Sequence, residues 1–142
     1  MKPSPLIPTD PCLCIALRRA AQKMTDCYDK ELRPAGVSVN QYSLLVNISR
    51  MEGCGTGELA QRVKLEKSTL VRTLQPLLRD GLILDKAPKT ARRRQLFVSS
   101  RGRGVLERAF PLWENAQKAI TLVLGENRAA LMDIATRLDA LE

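Results

Sequence analysis

Apolar residues return along this chain with a helical period, interrupted once by a short stretch of different character. Leu13, Leu17, Ala20, Met24, Tyr28 and Leu32 recur every three or four positions. This spacing predicts a helix with one apolar face. Asp10 is expected as its N-cap, Pro11 as its first residue and Pro34-Ala35-Gly36 as its end. Ser38 can cap a second helix that turns Tyr42, Leu45, Val46, Ile48 and Ser49 inward before Gly53-Cys54-Gly55 breaks it. A third, short helix is expected from Thr56 to Val63 on Leu59, Ala60 and Val63. A fourth is expected from about Lys67 to Asp80, with Leu70, Val71, Leu74, Leu77 and Leu78 inward and Gly81 as a left-handed cap. Pro76 lies inside that fourth helix, where it removes the bond to the Arg72 carbonyl and should kink or loosen the last turn.

The pattern then changes. Leu82 to Asp85 and Gln95 to Val98 have the β-compatible make-up of two strands, joined by a polar loop from Lys86 to Arg94. Ser99 or Ser100 can cap a long fifth helix, with Leu106, Ala109, Phe110, Trp113, Ala116, Ile120, Val123 and Leu124 as its stripe and a kink expected at Pro111. A last helix after Gly125-Glu126-Asn127 carries Leu131, Ile134, Ala135, Leu138 and Leu141. The fold class predicted is mainly α with a small β-hairpin. Residues 1–9, with Pro3, Pro5 and Pro8, are expected to form a flexible arm.

Charge sharpens this picture. The chain has 142 residues and a formal net charge of +8, and residues 56–103 hold twelve Lys/Arg against four acids. The whole net charge therefore sits in the middle third, and the flanks sum to zero. Five of those positive charges lie in the Lys86–Arg94 loop, which has no acid. Charge concentrated in this way suits a polyanion. There is no histidine, which removes the usual general base and the commonest metal ligand and argues against an enzyme. Cys12, Cys14, Cys27 and Cys54 match no common zinc spacing, and no cofactor is implied. No apolar run approaches a membrane span and no signal peptide is recognisable, so no membrane partner and a cytoplasmic location are expected.

Helix, tight turn, helix, strand, basic loop, strand is an order that resembles a winged helix-turn-helix, and its details resemble the MarR family of bacterial transcription regulators. The resemblance covers roughly residues 12–141. Its best stretch is GELAQRVKLEKSTLVRTLQPLLRDGLI, from Gly57 to Ile83, similar to the family's helix-turn-recognition-helix segment. The second is RRRQLFVSSRG, from Arg92 to Gly102, similar to the wing, its second strand and the start of the long helix. The resemblance implies a winged DNA-binding domain over 38–100, with dimerisation helices over 10–37 and 101–142. Thr90 stands where the family usually has an Asp two residues before its key wing Arg, an Asp thought to brace the wing. The implied wing therefore lacks that brace.

A recognition helix places its N-terminal residues against base edges in the major groove. Lys67, Ser68, Thr69, Arg72 and Thr73 fill the first two turns of the fourth helix and are the candidate DNA contacts there. Arg72 is the expected base reader, since Arg can bond a guanine bidentately. Lys89 and Arg93 are expected on phosphate, and Arg92 and Arg94 either on phosphate or in an adjacent minor groove. Helix-turn-helix proteins usually bind as two-fold homodimers, so a near-palindromic double-stranded operator is expected, with half-sites about one helical turn apart.

The cysteines suggest a signal. Cys12 and Cys14 fall in the first turn or so of the first helix, where the dipole and Arg18, four residues beyond Cys14, favour a thiolate open to oxidation. CIALRRAAQKMTDCY is similar to the organic-hydroperoxide-sensing branch of the family. That resemblance implies Cys14 as the redox-sensing residue, with Tyr28 as one of the tyrosines that bond it across the dimer. Arg18 and Val39 stand in place of two other tyrosines of that pocket. Cys12 and Cys27 lie about 22 Å apart along the helix, so a disulfide from Cys12 or Cys14 needs a distant partner or a second subunit. The other signal the resemblance implies is a small aromatic or amphipathic effector in the cleft between the terminal helices and the winged domain. A thiol-dependent peroxide-reducing enzyme and a winged domain that binds protein or RNA are the alternative functions.

Overall fold

The computed structural model describes residues 6–141 and contains six helices and one hairpin in the order the pattern predicts. Helix α1 spans Leu13–Leu32 and is followed by a 3₁₀ turn at Arg33–Ala35. Helices α2 (Val39–Arg50), α3 (Thr56–Val63) and α4 (Lys67–Arg79) lead into strands β1 (Ile83–Asp85) and β2 (Leu96–Val98). Helices α5 (Ser100–Leu124) and α6 (Asn127–Leu138) complete the chain. Of the arm expected over residues 1–9, residues 1–5 lie outside the described residues, and residues 6–12 hold no helix or strand.

The caps fix the joints between elements. Ser38 Oγ accepts from the Gln41 amide at 3.1 Å, while Gln41 Oε1 accepts from the Ser38 amide at 3.0 Å, a reciprocal capping box. Asp29 of α1 adds an acceptor at 2.8 Å for the Val39 amide, so the first turn of α2 is tied to α1. Gly81 closes α4 in the left-handed conformation, with the Leu82 amide bonded back to Leu77 at 2.9 Å. Ser99 caps α5, accepting from the Gly102 amide at 3.0 Å and donating to the Gly81 carbonyl. Asp10, by contrast, is not the cap of α1. Its side chain makes no cap bond, and the helix starts two residues beyond Pro11, where extended Cys12 offers its carbonyl to Ala16.

One apolar cluster runs from Leu32 to Ala109 and includes Leu45, Ile48, Leu59, Leu70, Leu77, Ile83 and Leu96, each almost wholly shielded. Burial of such a side chain is worth about 1.5–3 kcal/mol. The hairpin joins this core through its register, Ile83 opposite Val98 and Asp85 opposite Leu96. Leu96 also bridges Cys54, so the turn between α2 and α3 lies along the hairpin edge. Gly102 marks the tightest crossing: a Cβ there would come 2.1 Å from the Leu82 carbonyl oxygen, a distance only glycine avoids.

The ends of the chain are different. The first eleven residues of α1 are exposed, including Leu13 and Leu17, and α6 buries none of its residues. Leu122, Val123, Met132, Ile134 and Leu138 are exposed as well, so much of the apolar pattern of the terminal helices has no cover within one chain. The long helix α5 is continuous through Pro111, and α4 runs through Pro76 to Arg79.

Candidate nucleic-acid interface

Three buried leucines orient α4. Leu70, Leu74 and Leu77 face the core, which leaves Ser68, Val71, Arg72, Gln75 and Arg79 along one exposed ridge, with Lys67 at its start. Val71 is thus not the inward residue its apolar character predicts: it is 37% exposed, because the core arc of this helix is already filled. Thr69 and Thr73 shift the other way. Both are half-buried and line a small cavity with Asn40, Ser43, Val63 and Leu65 on the side of α2, and the Thr73 hydroxyl donates to the Thr69 carbonyl at 2.8 Å. Among the expected base contacts, Lys67, Ser68 and Arg72 stand on the exposed side and the two threonines at its margin. Gln75 and Arg79 were not anticipated, although their spacing of three and seven residues from Arg72 could have found them.

The wing has its brace, but from another residue. Asp85, the last residue of β1, accepts the Arg94 guanidinium at 2.9 Å with one oxygen and the amides of Ala87 and Gln95 at 3.0 and 3.1 Å with the other. Arg94 also donates to the carbonyls of Pro88, at 3.1 Å, and Ala91. One carboxylate and one guanidinium therefore tie the loop to itself and to both strands. Burial alone would raise the Asp85 pKa, but the Gln95 and Ala87 amides and Arg94 outweigh it and hold the carboxyl below its ordinary value. The structure corrects one expectation here and adds a second role to Arg94. The loop is braced despite Thr90, and Arg94, about 29% exposed, spends its guanidinium on the wing while still lining the cleft beside Arg92 and Arg93.

Lys89, Arg92 and Arg93 remain exposed. Arg93 pairs with Glu58 in the first turn of α3, and Glu58 also accepts from the Gly55 amide at 3.4 Å. The Arg93 bond first and the Gly55 bond second lower the Glu58 pKa. Arg92 has no ion-pair partner among the described residues. Lys67, Arg92, Arg93 and Arg94 line one cleft of about 280 Å³ together with Gly55, Thr56, Gly57 and the single acid Glu58. The folded chain thus joins the start of the recognition helix to the base of the wing in a single basic surface.

The thiols divide by exposure. Cys12 and Cys14 are exposed, Cys27 is half-buried and Cys54 is buried in the core. Burial first, then the Glu58 charge, raises the Cys54 pKa, so it is a shielded apolar thiol. Arg18 points its guanidinium at the Cys14 sulfur from 3.9 Å, the i to i+4 contact the sequence predicts. Tyr28 lies fourteen residues further along the same helix, half-buried near Trp113 (ring centroids 6.4 Å apart), and donates to Gln117. Within one chain it does not meet Cys14. A cavity of about 470 Å³ opens between α2 and α5, walled by Tyr42, Val46, Phe110 and Trp113 with Asn47 and Arg50 as polar groups.

Fold and basic surface together define a winged helix-turn-helix regulator. The sequence pattern of the MarR family matches residues 37–94. The crystal structure of the Mycobacterium tuberculosis transcriptional regulator MosR is 33% identical, covers 94% of this chain and 100% of its own, and superposes with a TM-score of 0.79. The same regulator in complex with DNA is 34% identical over 92% of this chain and 100% of its own, with a TM-score of 0.76. The transcriptional repressor CouR bound to a 23-mer DNA duplex is 25% identical over 90% and 92%, with a TM-score of 0.79. A comparison with curated proteins found no match. The chain belongs to the MarR family of DNA-binding transcriptional regulators. Among the described residues, no helix is long and apolar enough to cross a membrane.

Proposed function

We propose that this chain is a homodimeric repressor that binds a near-palindromic operator and leaves it when Cys14 is oxidised or a small molecule binds. The observation that carries the DNA-binding part is the cleft where Lys67, Arg92 and Arg93 meet, because it aligns the recognition helix and the wing on one polyanion-binding surface. The uncovered apolar residues of α1, α5 and α6 support the dimer, since a second copy is the simplest cover for terminal helices of this kind. Repressor CouR on DNA is consistent with the direction of control.

In this reading Lys67, Ser68 and Arg72 enter the major groove, Thr69 and Thr73 flank them, and Lys89 and Arg92 grip the backbone. Arg93 must exchange Glu58 for phosphate to add its charge. Affinity for DNA falls with salt in proportion to the phosphates neutralised, with a slope of about 0.9 per contact. Arg92→Ala should therefore make the slope shallower by about 0.9 on every sequence tested. Glu58→Gln, which keeps the acceptor for Gly55 but frees Arg93, should make it steeper. Slopes unchanged in both variants would remove the wing from the interface.

For the signal, exposed Cys14 with Arg18 beside its sulfur favours oxidation, with Cys12 two residues away as a second thiol; Tyr28 would have to give up its bond to Gln117 to meet a partner subunit's cysteine. The α2–α5 cavity favours a planar ligand and is the second reading. Binding to the DNA upstream of the chain's own gene should be measured at two salt concentrations, before and after limited peroxide, with mass spectrometry of the four cysteines. Salt-sensitive binding that is lost as Cys14 is modified is the expected result. Release without thiol modification would move the signal to the cavity, and a monomer by sedimentation at micromolar concentration would contradict the dimer.

A further inference from the structure

The exposed ridge of α4 holds one residue that neither charge nor hydrogen bonding explains. Ser68, Arg72, Gln75 and Arg79 are polar, whereas Val71 is apolar and 37% exposed in the second turn. Leu70, Leu74 and Leu77 complete the core of α4 without it. A β-branched residue on a solvent face is a poor choice for helix propensity alone. Local choices of this kind are expected where function sets the residue.

We propose that Val71 reads the 5-methyl group of a thymine in the major groove, within a few base pairs of the base contacted by Arg72, and so fixes one position of each operator half-site. This rests on the DNA-binding reading above. The thymine methyl is the one apolar feature of base-pair edges in the major groove, and an apolar side chain is its natural partner. Val71 and Arg72 project about 100° apart from the same turn and both lie on the exposed face, so in one groove they meet base edges on either side of the helix axis within a few base pairs of each other. A β-branched side chain also holds essentially one rotamer in a helix, so the methyls of Val71 are already oriented before DNA arrives. Thr69 and Thr73, whose methyls would be the competing readers, are half-buried towards α2.

The test uses the full chain and DNA alone. Duplexes are selected from a randomised library with the wild-type protein, and each thymine of the selected sequence is then replaced by deoxyuridine, which deletes only the methyl group. Wild type should lose about fourfold in affinity per half-site at one symmetry-related thymine, the factor for one buried methyl-sized group. Val71→Ser, similar in helix propensity, should bind the thymine and uracil duplexes equally, while Arg72→Ala should keep the uracil penalty and lose selection at the base Arg72 contacts. Selection of a sequence with no methyl-sensitive thymine, or an undiminished penalty in Val71→Ser, would overturn the proposal and leave the DNA-binding reading standing. Failure of the wild type to select any sequence would overturn both.

Discussion

Arg72→Ala should lower affinity for the preferred operator by about 1–3 kcal/mol while leaving affinity for unrelated DNA nearly unchanged. The effect is specific because Arg72 lies on the exposed ridge in the second turn of α4 and has no ion-pair partner among the described residues. Its five donors are therefore available to a guanine edge. An arginine that met only phosphate would add to binding on all sequences alike. Competition between operator and random duplex, measured for both proteins at one salt concentration, separates the two cases. Equal losses on both DNAs would assign Arg72 to the backbone.

Asp85→Ala should destabilise the chain by about 2 kcal/mol and weaken binding to all DNA, although Asp85 is acidic and meets no DNA in this account. The carboxylate accepts from Arg94 and two loop amides, and removing it leaves those donors without their partner in a site where Asp85 is about one-fifth exposed. Lys89 and Arg92 then lose the frame that aims them. The same group imposes an acid limit. Because its folded pKa lies below its unfolded value, its contribution is fully present above the ordinary carboxylate range and is lost as pH falls through the folded pKa. Chemical unfolding against pH should show a shallower acid limb in Asp85→Asn than in wild type. An identical limb, with wing-dependent binding intact in Asp85→Ala, would show that the brace does not matter.

Periodicity located the six helices, and β-compatible composition the two strands, to within a few residues, because an apolar stripe marks its helix whether one chain covers it, as in α2 to α5, or leaves it open, as in α6. It assigned Val71 to the inner face of α4 since a pattern of apolar residues cannot show where the filled arc ends. The charge of the middle third was visible in the sequence, but its division was not. Asp85 and Arg94 are nine residues apart and meet only through the strand register that sets Asp85 opposite Leu96. Glu58 and Arg93 are thirty-five residues apart and meet only once the hairpin packs beside α3. Both pairs explain why five positive charges in one loop do not act alike: Arg94 holds the wing, Arg93 is held by α3, Lys86 lies over the Phe97 ring, and Lys89 and Arg92 face outward. The terminal helices show the opposite limit. Their apolar stripes were legible, but a single chain does not cover them.

In the proposed complex, two copies of this chain place paired α4 helices in successive major grooves with a wing beside each. Guanine N7 methylation interference on a selected duplex, combined with hydroxyl-radical footprinting, tests it most directly. Two symmetric N7 blocks about one helical turn apart are expected, each flanked by a protected backbone segment that disappears in Arg92→Ala. A single unsymmetric footprint, or protection without any major-groove interference, would contradict it.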